Sequence, residues 1–104
     1  SQSMDTARWH TLSLAEQLGN IGSEISRIRS WKARGDANAT DQAFFRALDC
    51  IDATLADERW RGRHKEVARL REVLADCVME AGTYAIPLTD LERYCTDFAI
   101  IARS

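Results

Sequence analysis

Between residues 59 and 71 the chain carries Arg59, Arg61, Arg63, Lys65, Arg69 and Arg71 against a single acid, Glu66. These residue types contact phosphate: arginine pairs with phosphate oxygens in bidentate fashion, and lysine and arginine together release counterions from a nucleic acid backbone. A second run, Arg27, Arg29, Lys32 and Arg34, has no acid from 27 to 34, and Trp31 and Trp60 place aromatic faces beside the two runs. The stretch from Asp36 to Glu58 holds six acids and one base, so the formal net charge of −2 conceals a polar molecule. The six cations at 59–71 are the candidate surface for a partner, either a nucleic acid or an acidic protein. The plainer alternative is that acids of the preceding helix neutralise them within the fold, leaving a solvated surface with the tryptophans in the core or an interface.

Arg59 and His64 stand with four residues between them, a loose spacing that resembles helical ribonucleases of the HEPN type. That resemblance implies proton transfer at His64 and stabilisation of phosphate charge by Arg59. Trp60 departs from it, standing where a polar residue often follows the arginine. His10, beside Trp9, has no carboxylate or cysteine at a recognisable spacing, and neither a phosphate-binding glycine loop nor a Ser-His-Asp or Cys-His set is discernible. Asp49 with Asp52, and Asp76 with Glu80, lie one helical turn apart and could share a cation, but no E-x-x-H element accompanies them, which argues against a di-metal bundle. Cys50, Cys77 and Cys95 are odd in number and widely spaced, and they read as buried free thiols. The expectation is therefore a non-enzymatic protein with no cofactor and no metal.

The elements that position these residues are helices. Ser13-Leu14-Ala15-Glu16 is a capping box, in which the Ser hydroxyl and the Glu carboxylate each satisfy a backbone N–H left open at a helix start. Leu14, Leu18, Ile21, Ile25 and Ile28 follow at spacings of four and three, one apolar stripe on one face, and Gly35 suits a left-handed C-terminal cap. The first helix thus spans about 13–34. Ala15, Gly19, Gly22 and Ser26 run beside the stripe, small residues that let another helix backbone approach closely at ~1 kcal/mol of lost helix propensity per glycine. After a turn at Asp36 to Asn38, a second helix over about 39–58 carries Phe44, Leu48, Ile51 and Leu55. Arg59 to Arg63 is a soft joint with a possible turn at Gly62. The third helix, about 63–81, carries Val67, Leu70, Leu74, Cys77 and Ala81 and ends at Gly82. Pro87 disfavours a helical Ile86, making 83–88 a connection, and Thr89-Asp90-Leu91-Glu92 reads as a second capping box. The fourth helix, about 89–102, then lines the core with Leu91, Tyr94, Cys95, Phe98, Ile101 and Ala102.

A chain of 104 residues with 45% apolar and 29% charged residues is long enough for one hydrophobic core and too apolar to be disordered. Scarce glycine and a single proline argue against an all-β chain. The fold class is all-α, an antiparallel up-and-down four-helix bundle forming one domain over 1–104. In that topology the 27–34 and 59–65 runs fall at opposite ends of the molecule. The longest apolar run is far short of the ~20 residues that span a bilayer, so no membrane association is expected. No signal peptide is visible, which places the protein in the cytoplasm, and Ser1 to Ser3 ahead of Met4 read as a cloning remnant.

Leu14-Ala15-Glu16-Gln17-Leu18, together with residues 63–72 (Arg63-His64-Lys65-Glu66-Val67-Ala68-Arg69-Leu70-Arg71-Glu72), resembles small bacterial four-helix proteins. That group includes the 23S rRNA intervening-sequence proteins and the accessory variability determinants of diversity-generating retroelements. The resemblance implies a four-helix bundle, homo-oligomers and, for the retroelement members, binding to a reverse transcriptase and to nucleic acid through a basic surface. The matching positions are Arg63, Lys65, Arg69 and Arg71. The retroelement proteins are strongly basic, whereas this chain is slightly acidic. The functional expectation is an oligomeric adaptor or scaffold for a protein or ribonucleoprotein partner. The alternatives are an RNA- or DNA-binding accessory protein and, third, the ribonuclease.

Overall fold

The computed structural model describes residues 5–79 and 88–103, and within them the chain is all-α. In chain order the elements are α1 (Thr6–Trp9), α2 (Leu14–Ala33), α3 (Ala37–Leu55), a 3-10 segment (Glu58–Arg63), α4 (His64–Met79) and α5 (Leu88–Arg103). The four long helices correspond to the four expected from the apolar periodicity. No helix among the described residues is long and apolar enough to cross a membrane.

Local chemistry sets the helix ends. Ser13 and Glu16 form the reciprocal capping box: Ser13 Oγ accepts from the Glu16 backbone N–H at 3.1 Å, and Glu16 Oε1 accepts from the Ser13 N–H at 2.9 Å. Gly35, at φ +75, ends α2 in the left-handed region. Asp36 belongs to the next helix and not to a turn, because its carboxylate accepts from the Ala39 N–H at 3.0 Å and starts α3 at Ala37, two residues earlier than expected. The joint at 59–63 is a 3-10 segment capped by Asp57, with Trp60 outside helical geometry. Thr89 lies inside the first turn of α5, which begins at Leu88, so it does not act as the expected cap. The Gly82 terminus, the 83–87 connection, Ala81, Glu80 and Ser1–Ser3 lie outside the described residues.

Long-range contacts give the arrangement. Arg29 meets Glu92, and Gly22 stands against Cys95, so α2 and α5 run antiparallel. Glu24 meets Arg46, and Gln17 meets Asp57, giving the same sense for α2 and α3. Asp52 bonds Arg71 between α3 and α4, and Arg63 lies over Phe98 between the start of α4 and α5. Among the described residues, α2 packs most extensively, against α3 on one side and α5 on the other, while α4 is held more lightly. A β-carbon at Gly22 would sit 3.5 Å from Cys95 Cβ, an ordinary contact, and one at Gly19 would meet nothing within 4 Å, so the expected close approach does not require glycine at either position.

The core centres on Leu18, Ile21, Ile25 and Ile28 of α2, all fully buried, with Ala43, Ala47 and Ile51 of α3, Val67, Leu70 and Leu74 of α4, and Leu91, Cys95 and Phe98 of α5. Truncating any of the isoleucines to alanine removes about 2–5 kcal/mol. Tyr94 and Ile101, expected in this core, are 42% and 59% exposed. They sit on a flank of α5 rotated away from the Leu91–Cys95–Phe98 stripe.

Candidate interaction surface

Of the six candidate cations, two are committed to acids inside the fold. Arg59 donates from Nε to Asp57 Oδ1 at 3.0 Å and from Nη2 to Asp57 Oδ2 at 2.6 Å, and a further Nη2 bond of 2.7 Å reaches the Leu12 carbonyl. Its guanidinium also lies 4.4 Å from the Trp60 ring centroid. Asp57 is 5% exposed, and the Arg59 bonds together with a bond from Gln17 hold its carboxyl down at about 2 against the cost of burial. Arg71 donates from Nε to Asp52 Oδ1 at 2.7 Å. Asp52 is an acid of the second long helix of the bundle class, so neutralisation between adjacent helices, one of the two sequence readings, is realised at this position.

The pair Asp57–Arg59 is one corner of a larger network. Gln17, fully buried, donates from Nε2 to the Trp9 carbonyl at 2.9 Å and to Asp57 Oδ2 at 3.2 Å, and its Oε1 accepts from Trp60 Nε1 at 2.9 Å. Trp9 Nε1 donates to Thr54 Oγ1 at 3.0 Å, and His10 Nε2 lies 2.9 Å from the Ala53 carbonyl. These bonds tie α1, the head of α2 and the tail of α3 together. Trp9, Trp60, His10 and Arg59 are therefore structural residues at one end of the bundle, a role that sequence spacing does not reveal because the side-chain bonds of Trp9, His10 and Trp60, and that of Arg59 to Leu12, span 43 to 47 residues.

Of the remaining four cations, Arg61, Lys65 and Arg69 are exposed and Arg63 is half-buried. Arg61 and Glu58 are both well exposed and stand 3.9 Å apart, a pair worth little in water. Arg63 places its guanidinium 5.7 Å from the Phe98 ring centroid. Lys65 and Arg69 are exposed on α4 and form no ion pair among the described residues. Arg61, His64 and Lys65 line an open groove at the joint, but Glu58 and Glu66 line the same groove. His64 faces that groove and Arg59 does not, so the structure does not bring the two together around a common site. The 27–34 run is likewise met by acids: Arg27 pairs with Glu24, and Arg29 with Glu92 at 2.6 Å. Its end of α2 is opposite to the Arg59 end, as expected.

No group of three or more His, Cys, Asp or Glu side chains able to hold a metal occurs among the described residues. Asp52 is occupied by Arg71, which removes it from the Asp49 pair. Cys50 and Cys77 are half-buried and Cys95 is buried; burial pushes the Cys50 thiol up to about 11 and the Cys95 thiol up to about 12, so both are protonated and unreactive at neutral pH.

A second surface, not anticipated from the sequence, lies between α4 and α5. A cleft of about 330 Å³ is floored by Leu70, Val73 and Leu91, with Tyr94 along its side and Arg69 and Asp90 at its rim. Tyr94 packs edge-to-face on Phe98 with centroids 6.1 Å apart, and Ile101 continues the apolar strip toward the C-terminal end of α5. The signal that could have found it is angular: at 100° per residue, Asp90, Tyr94, Asp97 and Ile101 share one flank, separate from the core stripe.

Comparison with protein-family models, with curated proteins and with solved structures finds no match to this chain.

Proposed function

We propose that this protein is a non-enzymatic helical adaptor of the cytoplasm that acts by self-association, its assembled form presenting surfaces to a protein or ribonucleoprotein partner. The observation that carries this reading is the apolar strip on α5: Tyr94 and Ile101 stay open to solvent beside a cleft whose floor is aliphatic. Large side chains left outside a core that fully buries eight Leu, Ile and Val side chains among the described residues mark a contact surface. The side chains of the enzymatic alternative support it less, since the Arg59 guanidinium is spent on Asp57 and Leu12. Light scattering at micromolar concentration tests the proposal: a mass above that of one chain is expected, and a strict monomer overturns it.

A second reading has its own observation. Arg61, Arg63, Lys65 and Arg69 sit on the 3-10 segment and the first turns of α4, where the helix dipole favours anions and cations are held at some cost. A phosphate backbone would relieve that cost. Glu58 and Glu66 in the same groove count against strong binding, so this reading ranks second. It predicts RNA or DNA binding that weakens with salt and with Arg63→Ala and Arg69→Ala; no binding at low salt rejects it.

A further inference from the structure

We infer that the outward face of α3 is the docking site for an arginine-bearing basic segment of a partner protein, one guanidinium seated on the ring of Phe45 between Asp41 and Asp49. The inference rests on the reading of the chain as an adaptor and names the chemistry of one partner, on a face separate from the apolar strip of α5.

The face is built by spacing. Asp41, Phe45, Asp49 and Asp52 recur at intervals of four, four and three, which at 100° per residue puts them in one stripe of α3, turned away from the Phe44, Ala47, Ile51 and Thr54 side that faces the core. Asn38, Asp41, Gln42, Phe45, Asp49 and Asp52 are all exposed, and Phe45, at 58%, is the most open aromatic side chain among the described residues. One helical turn separates the ring from each flanking aspartate, ~5–6 Å between β-carbons. A cation held over the ring within the ~6 Å reach of a cation–π contact is therefore in range of both carboxylates.

The charges around the ring select the occupant. Asp52 accepts from Arg71 of α4 at 2.7 Å, and Arg46, which follows Phe45, is turned to Glu24 of α2 at 3.0 Å. Glu72, exposed next to Arg71, adds a further acid on the α4 side, and Lys32 borders the hollow beside Asp41 at the end of α2. Asp41 and Asp49, the two acids that flank the ring, form no ion pair among the described residues. A nucleic acid would meet like charge at this stripe, and two copies of the chain joined by it would set these aspartates against each other. A basic segment meets the opposite sign at both ends of the ring.

Arginine fits better than lysine. Its planar guanidinium stacks on an aromatic face and still offers N–H donors at its edge, whereas an ammonium is a compact, strongly hydrated charge. The chain makes this pairing three times for its own rings: Arg34 lies 5.2 Å from the Trp31 ring centroid, Arg59 4.4 Å from that of Trp60, and Arg63 5.7 Å from that of Phe98. Phe45 touches the neighbouring ring of Phe44 and carries no guanidinium among the described residues. The partner supplies it.

Fluorescence anisotropy with labelled octa-arginine and octa-lysine tests the inference on the full chain and on Phe45→Ala, Asp49→Asn and, as an acid away from the face, Asp97→Asn, with circular dichroism on each. Octa-arginine is expected to bind the unchanged chain at low salt more tightly than octa-lysine does. Phe45→Ala should weaken octa-arginine about two- to thirtyfold and octa-lysine less, Asp49→Asn should weaken both, and Asp97→Asn should weaken neither. The inference falls if octa-arginine does not bind, if Phe45→Ala and Asp49→Asn act no more strongly than Asp97→Asn, or if the two peptides respond alike to Phe45→Ala. Light scattering separates this outcome from the adaptor reading: a monomer that binds octa-arginine through Phe45 removes self-association and leaves the docking face, and an oligomer that does not bind it removes the face and leaves self-association.

Discussion

The side-chain amide of Gln17 donates to Asp57 Oδ2 at 3.2 Å across a span of 40 residues, and both side chains are removed from solvent. With Trp60 Nε1 bonded to the amide oxygen, Gln17 satisfies three elements at once. Replacing it with leucine keeps much of the volume but strands the indole N–H of Trp60 and takes a donor from buried Asp57. Gln17→Leu is expected to lower stability by about 1–3 kcal/mol, measured by urea unfolding.

Asp57 gives the fold a specific acid sensitivity. Its carboxyl titrates near 2 in the folded chain, below the 3.8 of an unperturbed aspartate, so the charged form is favoured by folding. The stabilisation is present above the unfolded value and is lost as pH falls through the interval from about 4 to about 2. The urea midpoint of the unchanged chain should therefore drop over that interval more than that of Asp57→Asn. Equal drops would show that the pair does not contribute.

Arg59 should behave as a structural residue. Its fork makes two parallel bonds to one carboxylate and a third to the Leu12 carbonyl, a geometry that a lysine ammonium cannot reproduce. Arg59→Ala and Arg59→Lys are both expected to destabilise, the alanine variant by about 1–3 kcal/mol in chemical denaturation. A lysine variant as stable as the unchanged chain would place the residue's role elsewhere.

Gly35 is the one described position whose backbone requires glycine, at φ +75. Space is not the constraint, since an added β-carbon meets nothing within 4 Å. Gly35→Ala is expected to cost about 1 kcal/mol through the left-handed backbone alone, seen as a fall in Tm of ~4–8 °C.

Where the sequence was legible, a local rule sufficed. The Ser13–Glu16 box and Gly35 bound α2 correctly because each cap closes within four residues of itself. Asp36 misled because Asp-Ala-Asn has the composition of a turn, while its carboxylate caps the next helix. The four-residue α1 has no periodicity to read; Asp5 caps it, and Trp9 and His10 hold it through Gln17, Thr54 and Ala53, the last two far along the chain. The charge run at 59–71 was visible as a sum, but a sum assigns no partners, and Arg59 and Arg71 are neutralised by acids that lie before the run begins. Tyr94 and Ile101 were placed in the core because a spacing of three or four admits both flanks of a helix. The angle to the neighbouring helices decides between them.

The uneven packing of α2 and α4 also sets which parts of the molecule open first. With α2 gripped from both sides by α3 and α5, the amide hydrogens at its centre, around Ile21 to Ile25, should exchange with solvent only through global unfolding. Those of α4 beyond Arg71 should exchange through a smaller local opening that leaves the other three helices in place.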